Sequence, residues 1–207
     1  MTASDARAGQ VDRRRLLRGM GGALLLPLLP GCGFGPEPLP DPWRPGSRLD
    51  AVVPTIDPYL DITNTNTGDR VALRFFDGRA YDRRAIRQLD WVFRDWRQNR
   101  SPEIDPRIYW ALAALADAAR RDGHSGQISL LSGYRTKRTN RMLQRKGAGA
   151  ASNSYHTRRR AADIRLDGIP SEQVSDYAEW LQIGGVGWYA GSNFTHIDSG
   201  PIRTWSA

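Results

Sequence analysis

The chain has 207 residues, 40% hydrophobic and 25% charged, which is enough for one well-packed domain behind a leader and too little for two. Of the formal charge of +8, residues 1–32 hold +3 (Arg7, Arg13, Arg14, Arg15 and Arg18 against Asp5 and Asp12) and the remainder holds +5, a basic balance without a dense Lys/Arg block that points only weakly to polyanions. A single cysteine, Cys32, excludes an intrachain disulfide, a cysteine-closed structural metal site and a thiol nucleophile in the body of the chain.

Residues 1–32 read as a targeting segment, because arginines at 13–15 and 18 precede a Gly- and Pro-interrupted apolar run from Met20 to Leu29. That run is about half the roughly 20 residues a membrane-spanning helix needs. Asp12-Arg13-Arg14-Arg15-Leu16-Leu17-Arg18 resembles a twin-arginine export signal. Leu29-Pro30-Gly31-Cys32 resembles a lipobox, which makes Cys32 a candidate lipid anchor to a membrane. Residues 33–60 open with a stretch rich in Pro and Gly and read as a tether.

Ordered structure is expected from Asp61 to the end of the chain. Ile62–Thr65, a turn at Thr67-Gly68-Asp69, and Val71–Phe76 read as a hairpin. Asp82 caps a predicted helix whose apolar positions are Ile86, Leu89, Val92, Phe93 and Trp96. Asp105-Pro106 opens a second, with Ile108, Leu112, Leu115 and Ala119 on one side, stopping near Asp122-Gly123. Gln127–Gly133 reads as a strand, Thr136–Gln144 as a third helix, Ala161–Leu166 as a strand and Ser171–Leu181 as a helix. Gly185–Tyr189 and Phe194–Asp198 close the pattern as two strands. The class predicted is α+β, a single domain with a small antiparallel sheet flanked by helices.

Of three histidines, two lie in the C-terminal third beside carboxylates. His156 sits in a loop seven residues before Asp163, and strand alternation puts Asp163 and Arg165 on one face with Ala162, Ile164 and Leu166 on the other. His196 and Asp198 likewise share a face. Were the two strands neighbours, Asp163 and His196 would lie about 5 Å apart at their Cβ atoms, within reach of one metal. Two imidazoles, one carboxylate and an open position suit a catalytic zinc. Spacing alone leaves open a buried histidine beside a surface carboxylate. His124, in a turn, reads as exposed, and Trp188 and Tyr189 as cleft border or core.

Ser154, His156, Ala161 and Asp163 match the Ser-x-His-x-x-Gly-x-Ala-x-Asp pattern of the D-Ala-D-Ala carboxypeptidase and VanX-like zinc peptidases, and Phe194–Gly200 resembles the segment supplying their last ligand. The chain is more similar still to the YcbK-like murein endopeptidase family. That likeness runs through Asn64–Asp69, Ser132-Gly133-Tyr134-Arg135-Thr136, Asn140, Leu143, Ala162–Arg165, Gly184–Tyr189 and Gly200–Trp205. The resemblance implies a zinc enzyme that cuts cross-links or stem peptides of peptidoglycan, with Zn2+ held by His156, Asp163 and His196. It also implies that Arg135 polarises the scissile carbonyl. Two positions depart from the pattern: Arg159 stands where the signature has Gly, and Asn193 where many relatives carry a carboxylate base. Asp198 is then the available carboxylate, as base or as a residue orienting His196. The expected partner is wall peptide in the periplasm. Export argues against nucleic acid, and the alternative is a non-catalytic wall-binding module.

Overall fold

The computed structural model describes residues 47–207; the expected leader with Cys32, and the tether up to residue 46, lie outside them. Order begins before Asp61. Ser47 caps a short helix α1 (Arg48–Val52), and Leu49 within it is fully buried. The buried Arg107 side chain ion-pairs with Asp50 and donates to Ser47 Oγ at 3.1 Å, so residues 47–50 are tied into the domain. Among the described residues no helix is long and apolar enough to cross a membrane.

The strands are β1 (Tyr59–Asn64), β2 (Arg70–Arg74), β3 (Ile128–Ser132), β4 (Ala161–Leu166), β5 (Gly185–Tyr189), β6 (Phe194–Asp198) and β7 (Arg203–Ser206). They form one seven-stranded sheet in the order β2-β1-β3-β4-β6-β5-β7. The fold is α+β as expected, but the sheet is larger than predicted and mixed: β1 pairs with β3 and β5 with β7 in parallel. Parallel pairing of β1 with β3 requires a long crossover, which β2 and two helices between them supply. The remaining pairings are antiparallel.

Helix α2 (Arg83–Val92) starts at Asp82, whose carboxylate accepts from the Arg84 and Ala85 amides. It stops short of Trp96, which the helical period placed in the core but which is 39% exposed and lies outside it. Helix α3 (Pro106–Arg121) is buried on every side from Ile108 to Ala116, so it is a central core helix rather than the one-sided helix the sequence suggested. Helix α4 (Lys137–Arg145) is capped by Thr136, and α5 (Ser171–Leu181) packs against β5 and β6.

Candidate metal centre

Antiparallel pairing of β4 with β6 sets Asp163 directly opposite His196. A register shift in β3 between Leu130 and Ser132 brings Ser132 beside Asp163, the kind of bulge that re-aims side chains at functional sites. His156 arrives from a 3-10 turn, Tyr155–Arg158, immediately before β4. All three residues are buried, and their nearest ligand atoms lie within 4.8 Å of one another.

The hydrogen bonds around the cluster decide which atoms carry lone pairs. His156 Nδ1 is 2.6 Å from the Gly133 carbonyl oxygen, which only accepts, so Nδ1 holds the proton and Nε2 the lone pair. His196 Nε2 is 3.1 Å from Asp198 Oδ2 and donates to it, so its Nδ1 carries the lone pair. Those two lone-pair nitrogens are 3.2 Å apart, and Asp163 Oδ1 lies 3.1 Å from the first and 2.7 Å from the second. Three electron-rich atoms facing one another at such distances fit a shared cation. The remaining Asp163 oxygen accepts from Arg135 Nη2 at 2.5 Å, while Arg135 Nε donates to Ser132 Oγ at 2.8 Å.

His156 and Asp163 ionise as this donor set requires, and His196 marks where the site calls for positive charge. Burial pushes His156 below the usual histidine range against the pull of Asp163, which keeps the ring neutral. For Asp163 burial opposes ionisation, but His156, His196 and Arg135 hold its carboxyl well below the usual range. Burial also works against a charged His196, yet its contacts with Asp163 and Asp198 outweigh that and raise it. The pocket therefore favours positive charge between Asp163 and His196.

Asp198 is fully buried and its two oxygens are crowded with donors. Oδ2 takes His196 Nε2 and, at 2.6 Å, Arg203 Nη2. Oδ1 takes the amides of Gly200 at 2.7 Å and Gly185 at 3.1 Å, and Arg203 Nη1 at 3.1 Å. Although burial disfavours its charge, these partners hold its carboxyl far below the ordinary carboxylate range. Such a group is a poor proton acceptor and a good anchor for a histidine.

Glycines on β5 make room for this arrangement. A Cβ at Gly185 would come within 2.5 Å of Asp198 Oδ2, and one at Gly187 within 2.3 Å of the Trp205 ring. Trp205 lies across Gly187 with its ring 5.3 Å from that of His196, and its Nε1 donates to Tyr189 at 3.1 Å. Tyr155, Tyr189, Arg203 and Trp205 thus wall the cleft above the cluster. Trp188 faces the other way and donates to Ser171 on α5. Asp163 and Asp198 are the only carboxylates lining the cleft among the described residues. Asn193 stands apart in the β5–β6 turn, in the left-handed conformation that Asn tolerates, with its carbonyl accepting from Arg165. Arg159 is also left-handed, at φ 66°, which explains why the signature has Gly there. His124 is exposed and takes no part. Sequence reasoning missed Arg203 and Trp205 as site residues, since the short β7 that carries them shows no clear alternation of apolar and polar positions.

The family model described as peptidoglycan L,D-endopeptidase MepK matches residues 55–205. The chain belongs to the MepK family. A relative named peptidoglycan L,D-endopeptidase MepK in Escherichia coli (strain K12) is 36% identical over 94% of this chain and 97% of its own length. A protein of the same name in Shigella flexneri gives the same figures, 36% identity over 94% of this chain and 97% of its own. One named probable peptidoglycan L,D-endopeptidase MepK in Haemophilus influenzae is 37% identical over 78% of this chain and 86% of its own length. No solved structure gives a significant match.

Proposed function

We propose that this chain is an exported zinc peptidase that hydrolyses peptide bonds in the cross-links or stem peptides of peptidoglycan. The observation that carries the reading is the convergence of His156 Nε2, Asp163 Oδ1 and His196 Nδ1 in a cleft of a chain belonging to the MepK family. Zinc held by these atoms would supply Lewis acidity and a water of lowered pKa. The chain's own residues do the rest. Gly133 fixes the His156 tautomer and Asp198, itself clamped by Arg203, fixes that of His196. Asp198 therefore enters as the residue that orients a ligand rather than as the proton acceptor. Arg135 is anchored through Nε and Nη2, which leaves Nη1 to hydrogen-bond the scissile carbonyl oxygen as negative charge develops on it. Tyr155, Tyr189 and Trp205 flank the peptide and limit water access.

A second reading, wall-peptide binding without turnover, is favoured by the engaged state of both cleft carboxylates. Digesting purified peptidoglycan with the purified chain, with and without chelator, and identifying released fragments separates the two. Cleaved cross-links or stem peptides that vanish with chelator support the enzyme. Binding without any product under full metal loading supports the module.

A further inference from the structure

Charge in this protein is sharply segregated around the cleft. From Arg135 to Ala162 the chain carries nine cations (Arg135, Lys137, Arg138, Arg141, Arg145, Lys146, Arg158, Arg159, Arg160) and no acid. Residues 33–207 carry +5 in all, so this segment's +9 leaves the remainder net negative at −4. The segment is a single excursion that leaves the metal cluster at Arg135 and returns to it at His156, by way of α4 and a loop tied to α4 where Asn140 Nδ2 donates to the Ala151 carbonyl at 2.9 Å.

Lys137, Arg138, Arg141, Arg145, Lys146, Arg158 and Arg159 are all exposed, and among the described residues none of them forms an ion pair. Arg138, Arg141 and Arg145 fall at i, i+3 and i+7, one face of α4, spanning about 10 Å. Arg158 reaches back toward the cleft with its guanidinium 5.0 Å from the Tyr155 ring centre. The basic wall is therefore continuous with the cleft.

We infer that this wall docks the acidic peptide strands of peptidoglycan lying beyond the bond at the metal cluster, a site that rests on the hydrolase reading above. Guanidinium groups match carboxylates in paired hydrogen bonds, and a row of them suits a polymer bearing carboxylates at intervals. An anionic lipid surface suits it less, because membrane-surface helices add apolar anchors to their basic face. Among the described residues the exposed large apolar ones are Trp91, Trp96, Trp180 and Ile202, none of them on this segment.

The test is co-sedimentation of the purified full chain with insoluble peptidoglycan, unmodified or with its carboxyl groups amidated, beside vesicles containing anionic phospholipid. The triple variant Arg138→Gln, Arg141→Gln, Arg145→Gln should melt like the parent and bind unmodified peptidoglycan about ten-fold more weakly at low salt, from three surface contacts of about half a kcal/mol each. Amidation should weaken the parent similarly, and about 1 M salt should erase both differences. Equal binding by parent and variant overturns the docking site, as does charge-dependent binding to vesicles without charge-dependent binding to peptidoglycan. Fragment release is read on the same samples. Charge-dependent binding without release sinks the hydrolase reading and keeps the docking surface, whereas release with charge-independent binding does the reverse.

Discussion

Asp163 on β4 and His196 on β6 are direct partners in the antiparallel register, and Asp163 Oδ1 lies 2.7 Å from His196 Nδ1. The next residue on that face, Asp198, receives the opposite nitrogen of the same ring at 3.1 Å. One imidazole is thus gripped by two buried carboxylates of the cleft wall, one on each of its ring nitrogens.

This arrangement separates two roles for Asp198. In Asp198→Asn the amide oxygen keeps part of the Gly185, Gly200 and Arg203 cradle but loses the charge that holds His196. Metal affinity should drop about ten- to a hundred-fold, as for other outer partners of metal ligands. Activity at saturating metal should largely return. A variant with unchanged affinity whose activity falls by about a hundred-fold or more at full occupancy would instead make Asp198 the base.

The left-handed Arg159 carries a backbone cost that glycine avoids. Arg159→Gly should raise stability by about 1 kcal/mol, measured by denaturant or thermal unfolding, with metal content unchanged. Lower stability would mean that the Arg159 side chain contributes more than its backbone costs.

Asp90 gives stability a pH dependence unrelated to the metal. It is buried, and its Oδ1 accepts from the Ile104 amide and the Tyr109 hydroxyl. Burial raises its pKa despite those bonds. A folded pKa above the unfolded one favours folding below the unfolded value, near 3.8, and loses that contribution as pH rises through the folded value. Asp90→Asn keeps an acceptor for both donors and removes the titration. Its stability advantage over the parent should therefore grow as pH rises from about 4 and then level off. An advantage independent of pH would show that Asp90 does not titrate in this window.

Export is proposed from the leader alone. Changing Arg13 and Arg14 together to Lys should leave precursor in the cytoplasm, seen by fractionation, since twin-arginine receptors read the paired guanidinium groups. Normal delivery would point to another route.

Much of the site was legible because strand alternation is local: Asp163 with Arg165, and His196 with Asp198, follow from the period of two. Their pairing across strands was a conditional inference that the β4–β6 register satisfies. What escaped depended on distant contacts. Helix α1 has only five residues and is held by Arg107, far along the chain, so a Pro/Gly-rich neighbourhood concealed it. The saturation of Asp198 requires Arg203 on β7 and the bare backbone of Gly185, neither of which a linear pattern reveals. Trp96 fitted the α2 period, but that helix ends at Val92, and the chain beyond it turns through the bridge between Asp95 and Arg100.

The most direct measurement is metal content of the purified chain beside His156→Ala, each prepared with zinc and then desalted. The account predicts about one zinc per chain in the parent and little in the variant, because removing Nε2 leaves one imidazole and one carboxylate. Full zinc in His156→Ala, or none in a folded parent, would contradict it.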